Sequence, residues 1–154
     1  MISRFQDHMQ QSFPFLKGKK LLVASSGGID SMVLTNLLFK LDYQIAIAHC
    51  NFHLRGKESD LDEAFVIESA KKLKIPYHII SFDTKGYAQQ ENISIQMAAR
   101  DLRYTWFEEL LQKQDLDYLL TAHHADDNLE TFLINFSRGT GLDGLTGIPA
   151  INNK

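Results

Sequence analysis

The sequence predicts an α/β domain: a parallel, doubly wound sheet of about five strands with helices on both faces. Three observations carry that expectation. Short apolar runs at about 20–25, 45–50, 77–82 and 118–122 alternate with longer segments of helical periodicity. Most of those runs are apolar on both sides, as strands covered by helices on each face must be. The turn after the first run, Ser25-Ser26-Gly27-Gly28-Ile29-Asp30-Ser31, leads a strand straight into a helix.

Each element has its own signal. Residues 1–18 read as a short amphipathic lead-in, with Phe5, Met9, Phe13 and Leu16 at helical spacing and Pro14 breaking it. A helix over about 30–41 buries Val33, Leu34, Leu37, Leu38 and Leu41. A polar loop from Asn51 to Lys57 follows the second strand. The next helix, about 58–73, places Leu61, Phe65, Val66, Ala70 and Leu73 on one face. After a third strand, 83–91 reads as a loop. A helix over about 93–113 carries the stripe Ile95, Ala98, Ala99, Leu102, Trp106 and Leu110. A last helix over about 126–138 turns Leu129, Phe132, Leu133 and Phe136 inward, and Gly139 to Gly147 form a glycine-rich loop.

Length and composition narrow the class. With 154 residues, 44% hydrophobic, one domain over 1–154 with a true core is expected. No apolar run approaches the roughly 20 residues that span a bilayer, and Met1-Ile2-Ser3-Arg4 begins no signal-peptide pattern. A single cysteine, Cys50, excludes an internal disulfide framework and any multi-cysteine cluster. A soluble, cytoplasmic protein away from membranes is the expectation. The net charge of −3 argues against a nucleic-acid surface over the whole domain, but not against a local basic strip. The ending, Ile151-Asn152-Asn153-Lys154, follows a glycine-rich turn without a terminal helix, so a piece of a longer protein is expected.

In a doubly wound sheet, ligands bind at the carboxyl ends of the strands near the topological switch point. That rule gathers the polar residues following each strand into one crevice. Ser26, Gly27, Gly28, Ile29, Asp30 and Ser31 form the first group. Glycine tolerates positive φ, so consecutive N–H groups can turn inward as an anion nest, and the helix start adds unpaired N–H groups. A phosphate is expected there. The bland reading is a helix start capped by Asp30 or Ser31. A Walker loop is excluded, because no lysine follows the glycines.

His49, Cys50 and His53 suggest a metal, but their spacing suits no zinc site, and Cys50 reads as core. Asn51 and Arg55 are the useful residues after the second strand, able to reach adenosine or phosphate; a solvated charge is the competing reading for Arg55. Gln96, Arg100, Arg103 and Phe107 share one arc of the third long helix, suited to phosphate or RNA unless Asp101 or Glu108 pairs the arginines. His123-His124-Ala125-Asp126-Asp127-Asn128-Leu129-Glu130 follows the fourth strand. It can bind Mg²⁺, hold substrate or move a proton, and Asp127 with Glu130 also fits a capping box.

Taken together, these segments resemble a known family. Ser-Gly-Gly-x-Asp-Ser after a strand is similar to the PP-loop of N-type ATP pyrophosphatases. Three further stretches resemble the tRNA(Ile)-lysidine synthase family: His49-x-Asn51 with Leu54-Arg55 and then Glu58-Ser59-x-x-Asp62; Gln96 to Tyr104; and Thr121 to Thr131 running on to Arg138 through Leu145. The resemblance covers nearly residues 20–149. One departure is Phe52, which stands where the family often has a second histidine.

The resemblance implies an adenine nucleotide alpha hydrolase-like, Rossmann-like fold and a ligase that uses ATP and Mg²⁺. Its partners would be the CAU-anticodon tRNA(Ile) and L-lysine, with tRNA-binding domains outside this chain and a homodimer left open. The C2 oxygen of the wobble cytidine attacks the α-phosphate, pyrophosphate leaves, and the lysine amine then displaces AMP to form lysidine. The implied catalytic residues are Asp30, Arg103, His123 and Asp127, with Asp30 as a Mg²⁺ ligand. Asn51, Arg55, Arg100, His124 and Asp126 would contact substrate. Two rival classes remain: another PP-loop tRNA-modifying enzyme, such as a sulfur-transferase, against which the single cysteine argues, and a non-catalytic adenine-nucleotide-binding module.

Overall fold

The computed structural model describes residues 1–125 and 128–134. The chain runs α1 (Ile2–Ser12), a short 3-10 turn (Pro14–Leu16), β1 (Lys20–Ala24), α2 (Ile29–Lys40) and β2 (Gln44–Asn51). It continues as α3 (Lys57–Leu73), β3 (Tyr77–Ser81), α4 (Thr84–Glu91), α5 (Ile95–Lys113), β4 (Tyr118–Ala125) and β5 (Asn128–Ile134).

The sheet order is β3-β2-β1-β4-β5. β1, β2, β3 and β4 are parallel. From β1 the chain steps outward through β2 to β3, then α5 carries it back to β4 on the other side of β1. The switch point therefore lies between the carboxyl ends of β1 and β4, where such sheets open a crevice.

The period-two alternation of the strands divides the core in two. Leu21, Val23, Ile45 and Ile47 face α2 and α3 and pack with Leu34, Leu38, Val66 and Ala70. Leu22, Ala46, Ala48 and Leu119 face α5 and pack with Phe107, Leu110 and Leu111. The small Ala46 and Ala48 leave room for the Phe107 ring. Phe5, Met9, Phe13 and Leu16 are all buried, as their spacing predicts, and Pro14 ends the helical lead-in by opening the 3-10 turn. Fully burying a leucine in such a core contributes about 1.5–3 kcal/mol.

Five expectations need correcting. The helix expected over 126–138 is, across Asn128–Ile134, an antiparallel strand pairing Leu119↔Ile134 through Ala125↔Asn128. Its remaining positions, including Phe136, lie outside the described residues, as does the loop from Gly139 to Gly147. Short apolar runs fit both periods, and Thr131, Phe132 and Ile134 favour a strand once β4 offers a free edge. β4 itself extends to Ala125, three residues past its expected end.

The segment 83–91, expected as a loop, contains the two-turn helix α4. Asp83 caps it by accepting from the Gly86 N–H at 3.1 Å, and Asn92 ends it in the left-handed conformation. On α3, Leu61 is 68% exposed and Phe65 is also exposed, so only Ser59, Val66 and Ala70 form a buried stripe. On α5, the buried face is Ala98, Phe107, Leu110 and Leu111, while Ile95 is exposed and Leu102 and Trp106 are half-buried.

Candidate functional site

β1 ends by extending the sheet one residue, the Ser25 N–H donating to the Ala48 carbonyl at 2.9 Å. The chain then bends at Gly27, with φ +83°, and Gly28 becomes the N-cap of α2. Among the described residues no side chain caps α2, in contrast to Asp83 on α4 and Ser94 on α5. The first-turn N–H groups of Ile29, Asp30 and Ser31 thus keep the unmet donors of a helix start. Ile29 is 81% exposed, so its contribution to the loop is main-chain.

Serines brace this bend from inside. The Ser26 Oγ accepts from the Gly28 N–H at 3.2 Å and the Ser25 Oγ from the Gly27 N–H at 3.4 Å. The Ser31 Oγ donates to the Gly28 carbonyl at 3.0 Å and lies 3.2 Å from the Ser25 Oγ. The Ser31 hydroxyl is therefore turned into the protein. Behind the loop, the His49 Nδ1 donates to the Ser25 carbonyl at 2.7 Å. The other ring nitrogen, Nε2, is buried with no hydrogen-bond partner among the described residues. An orphaned nitrogen of this kind marks a place where a ligand or water supplies the partner.

A cavity of about 580 Å³ opens above the loop at the carboxyl ends of β1 and β2. It brings together Ser26, Gly28, Ile29, Asp30, Ser31, Asn51, Arg55 and Arg103 of the expected residues. Gly27 shapes the bend without lining the cavity. Arg100 does not line it either: its guanidinium lies over the Tyr104 ring, 5.0 Å from the centroid. His123 and His124 fall on β4, opposite Glu130 and Leu129 of β5. Asp126 and Asp127 lie outside the described residues.

The lining residues differ in what they have free. The Asn51 amide donates to Asp60 Oδ1 at 3.0 Å and Glu63 Oε2 at 2.9 Å, while its oxygen accepts from the His53 N–H at 3.0 Å. Asn51 thus ties the loop to α3. Arg55 pairs with Asp62 and, at 4.0 Å, with Glu58. Arg103 forms no ion pair among the described residues; its guanidinium sits over the Phe52 ring at 5.1 Å.

Sequence reasoning assigned no role to Ser25, His49, Asp62 and Phe52, although all line this cavity. Ser25 and Asp62 carried usable signals, one as the last residue before the glycine bend, the other within the quoted Glu58-to-Asp62 stretch. The strand-end rule already gathers His49 to Arg55 into the crevice, but the contact of Phe52 with Arg103 arises only through the return of α5.

Burial pushes the Cys50 thiol up to about 12, against a smaller opposing pull from the Arg103 charge. The thiol is therefore neutral at physiological pH and a poor nucleophile. Iodoacetamide at pH about 9 is expected to leave Cys50 of the folded protein unmodified and to label it on unfolding, as followed by mass spectrometry. The linkage has a matching sign: the folded state holds this proton more tightly, so the protein loses stability as pH rises from 9 towards 12. Among the described residues, no three His, Cys, Asp or Glu side chains come together as a metal cluster.

A parallel sheet with a glycine bend and an uncapped helix start at its switch point defines a nucleotide-binding α/β domain. The chain belongs to the PP-loop domain family, whose model matches residues 1–154, and membership indicates ATP binding.

Curated relatives that it matches include proteins named tRNA(Ile)-lysidine synthase. The protein of Porphyromonas gingivalis strain W83 is 48% identical over 154 residues, 99% of this chain and 34% of the relative. That of Parabacteroides distasonis is 52% identical over 134 residues, 87% of this chain and 31% of the relative. That of Chlorobaculum tepidum is 41% identical over 149 residues, 94% of this chain and 45% of the relative. The chain spans about a third of the length of the first two and under half of the third.

Among solved structures, the chain resembles the NMN synthetase of Francisella tularensis, with a TM-score of 0.59 at 17% identity. That match covers 77% of this chain and 51% of the other. It also resembles the ammonia-dependent NAD synthetase of Campylobacter jejuni, with a TM-score of 0.56 at 16% identity, covering 78% and 53%. At such identities the likeness supports the fold only. No helix among the described residues is long and apolar enough to cross a membrane.

Proposed function

We propose that this domain supplies the ATP-using chemistry of a cytoplasmic tRNA(Ile)-lysidine synthase, ligating L-lysine to C2 of the wobble cytidine in the CAU-anticodon tRNA(Ile). The observation that carries the reading is a phosphate-ready bend and an arginine with no ion pair among the described residues, Arg103, lining one cavity in a PP-loop chain. The names of relatives up to 52% identical support the choice of substrate.

The chemistry follows from the residues. A ring carbonyl oxygen is a poor leaving group, so cytidine must be activated. Its C2 oxygen bonds to the α-phosphorus and the bond to pyrophosphate breaks. The free N–H groups of Ile29, Asp30 and Ser31 hold the departing charge, and Arg103 neutralises more of it. Mg²⁺, a hard cation that takes carboxylate oxygens, would supply further charge neutralisation when bound. Asp30, in the first turn of α2 and lining the cavity, fits that donor requirement.

The lysine amine then bonds to C2, and AMP leaves with the C2 oxygen. A free lysine amine, with a pKa of about 10.4, arrives protonated. Asp127 binds the ammonium and accepts a proton, and His123 assists the transfer. Arg55, Arg100, His124, Asp126 and the Asn51-anchored loop serve the tRNA and adenosine side. A thiolation reading is weaker, because the neutral Cys50 thiol is unsuited to carry persulfide sulfur.

The test uses the whole enzyme. Asp127→Asn is expected to keep tRNA-dependent pyrophosphate release and to lower lysine transfer about 10²-fold or more, the scale of a lost general base. Full lysine transfer would remove Asp127 from this role. Absence of tRNA-dependent pyrophosphate release in the wild-type enzyme would overturn the function.

A further inference from the structure

Arg103 carries its charge into the cavity without a carboxylate among the described residues to hold it. Among the described residues it forms no ion pair, and the contact that fixes it is the face of Phe52, 5.1 Å from guanidinium carbon to ring centroid. That separation lies within cation–π range. The far side of the arrangement is equally defined. Phe52 stacks on Phe82 with centroids 5.7 Å apart and planes 22° from parallel.

The backbone around Phe52 is clamped on both sides. The buried Thr84 hydroxyl donates to the Phe52 carbonyl at 2.9 Å. The Phe82 N–H donates to the Asn51 carbonyl at 2.9 Å. The Asn51 side chain is itself tied to Asp60, Glu63 and the His53 N–H. The ring is thus presented from a frame built by the ends of β2 and β3, the start of α4, and α3.

The choice of an aromatic partner has a physical consequence. A carboxylate would hold the guanidinium by consuming N–H donors and cancelling charge. A ring face holds it from above and leaves the in-plane donors and the full charge for a ligand.

We propose that Phe52, backed by Phe82, is the positioning residue that orients Arg103 towards the phosphates while leaving its charge and donors uncommitted. The proposal rests on the reading of Arg103 as the phosphate-neutralising group.

The experiment measures tRNA-dependent pyrophosphate release by the whole enzyme, with ATP varied. Phe52→Leu is expected to lower kcat/KM for ATP about 2- to 30-fold, the factor matching a cation–π contact of about 0.5–2 kcal/mol. Phe52→Trp, which keeps a ring face, should recover most of the loss. Phe52→Glu should be worse than Phe52→Leu, because its carboxylate captures the guanidinium. Phe82→Leu, which leaves Phe52 in place, should show a smaller loss of the same kind and serves if Phe52→Leu does not fold.

The decisive comparison is a double-mutant cycle. On an Arg103→Leu background, Phe52→Leu should cost nothing further. If it costs as much there as in the wild type while Arg103→Leu is itself impaired, the positioning role is overturned and the role of Arg103 stands. If Arg103→Leu is as active as the wild type, the underlying reading fails, and the positioning role with it.

Discussion

Gly27→Ala is expected to raise the Kd for ATP by at least about tenfold and to lower thermal stability at the same time. Two independent costs meet at this residue. Its φ of +83° lies in the left-handed region, where a Cβ costs roughly 1–2 kcal/mol. A Cβ built there would also stand 2.9 Å from the Asp62 Cβ, 3.1 Å from its carbonyl oxygen and 3.2 Å from its Cα. Those atoms are on or next to the backbone of α3 and have no rotamer by which to yield. The loop must lift off α3 or change its bend, and either movement re-aims the N–H groups that meet phosphate. Since 1.4 kcal/mol is a factor of ten in an equilibrium constant, the strain and the clash together account for the expected loss.

Gly18→Ala provides the matched control. Gly18 has a similar φ of +78°, yet an added Cβ meets nothing within 4 Å, and the residue lies before β1. It should show the strain in its melting temperature and none of the loss in ATP affinity. Calorimetric titration of both variants separates the effects. Equal ATP affinities for the two would show that contact between the bend and α3 has no part in shaping the phosphate site.

This contrast also marks what sequence could reveal. The β1–bend–α2 unit is local: an apolar run, two glycines and a helical pattern lie within some 20 residues, and every feature that matters is adjacent in the chain. It was therefore legible. The clash partner of Gly27 is Asp62, on α3, and nothing at either position announces the other. The same holds for Phe52 and Arg103, which meet only because α5 returns across the opposite face of the sheet.

Secondary structure went unread where signals conflicted. Asp83 and Asn92 mark the ends of α4, but the polar residues and Gly86 between them suggest a loop. In β5, the spacing of Leu129, Phe132 and Leu133 imitates a helix, and only the open edge of β4 decides the matter.

Arg103→Leu should produce the largest catalytic defect of any change to a described residue, lowering kcat for tRNA-dependent pyrophosphate release about 10²- to 10³-fold. That is the scale seen when one preorganised stabiliser of developing charge is removed. The expectation depends on what Arg103 is not doing. Arg55 lines the same cavity, but its charge is already balanced by Asp62 and Glu58. Arg100 sits one turn away on α5, over Tyr104 and outside the cavity lining.

Arg103 alone of the three both lines the cavity and lacks an ion pair among the described residues. Arg100→Leu should therefore cost less than about tenfold, by the same reasoning on distance and geometry. Arg103→Lys should recover only part of the activity, because an ammonium supplies the charge without the planar fork that grips two phosphate oxygens. A loss confined to KM would mean that Arg103 binds ATP equally in ground and transition states, whereas a fall in kcat places its effect on the charge that develops as pyrophosphate leaves. The ring of Phe52 can hold a guanidinium without neutralising it, and that retained charge is what makes kcat the parameter expected to fall.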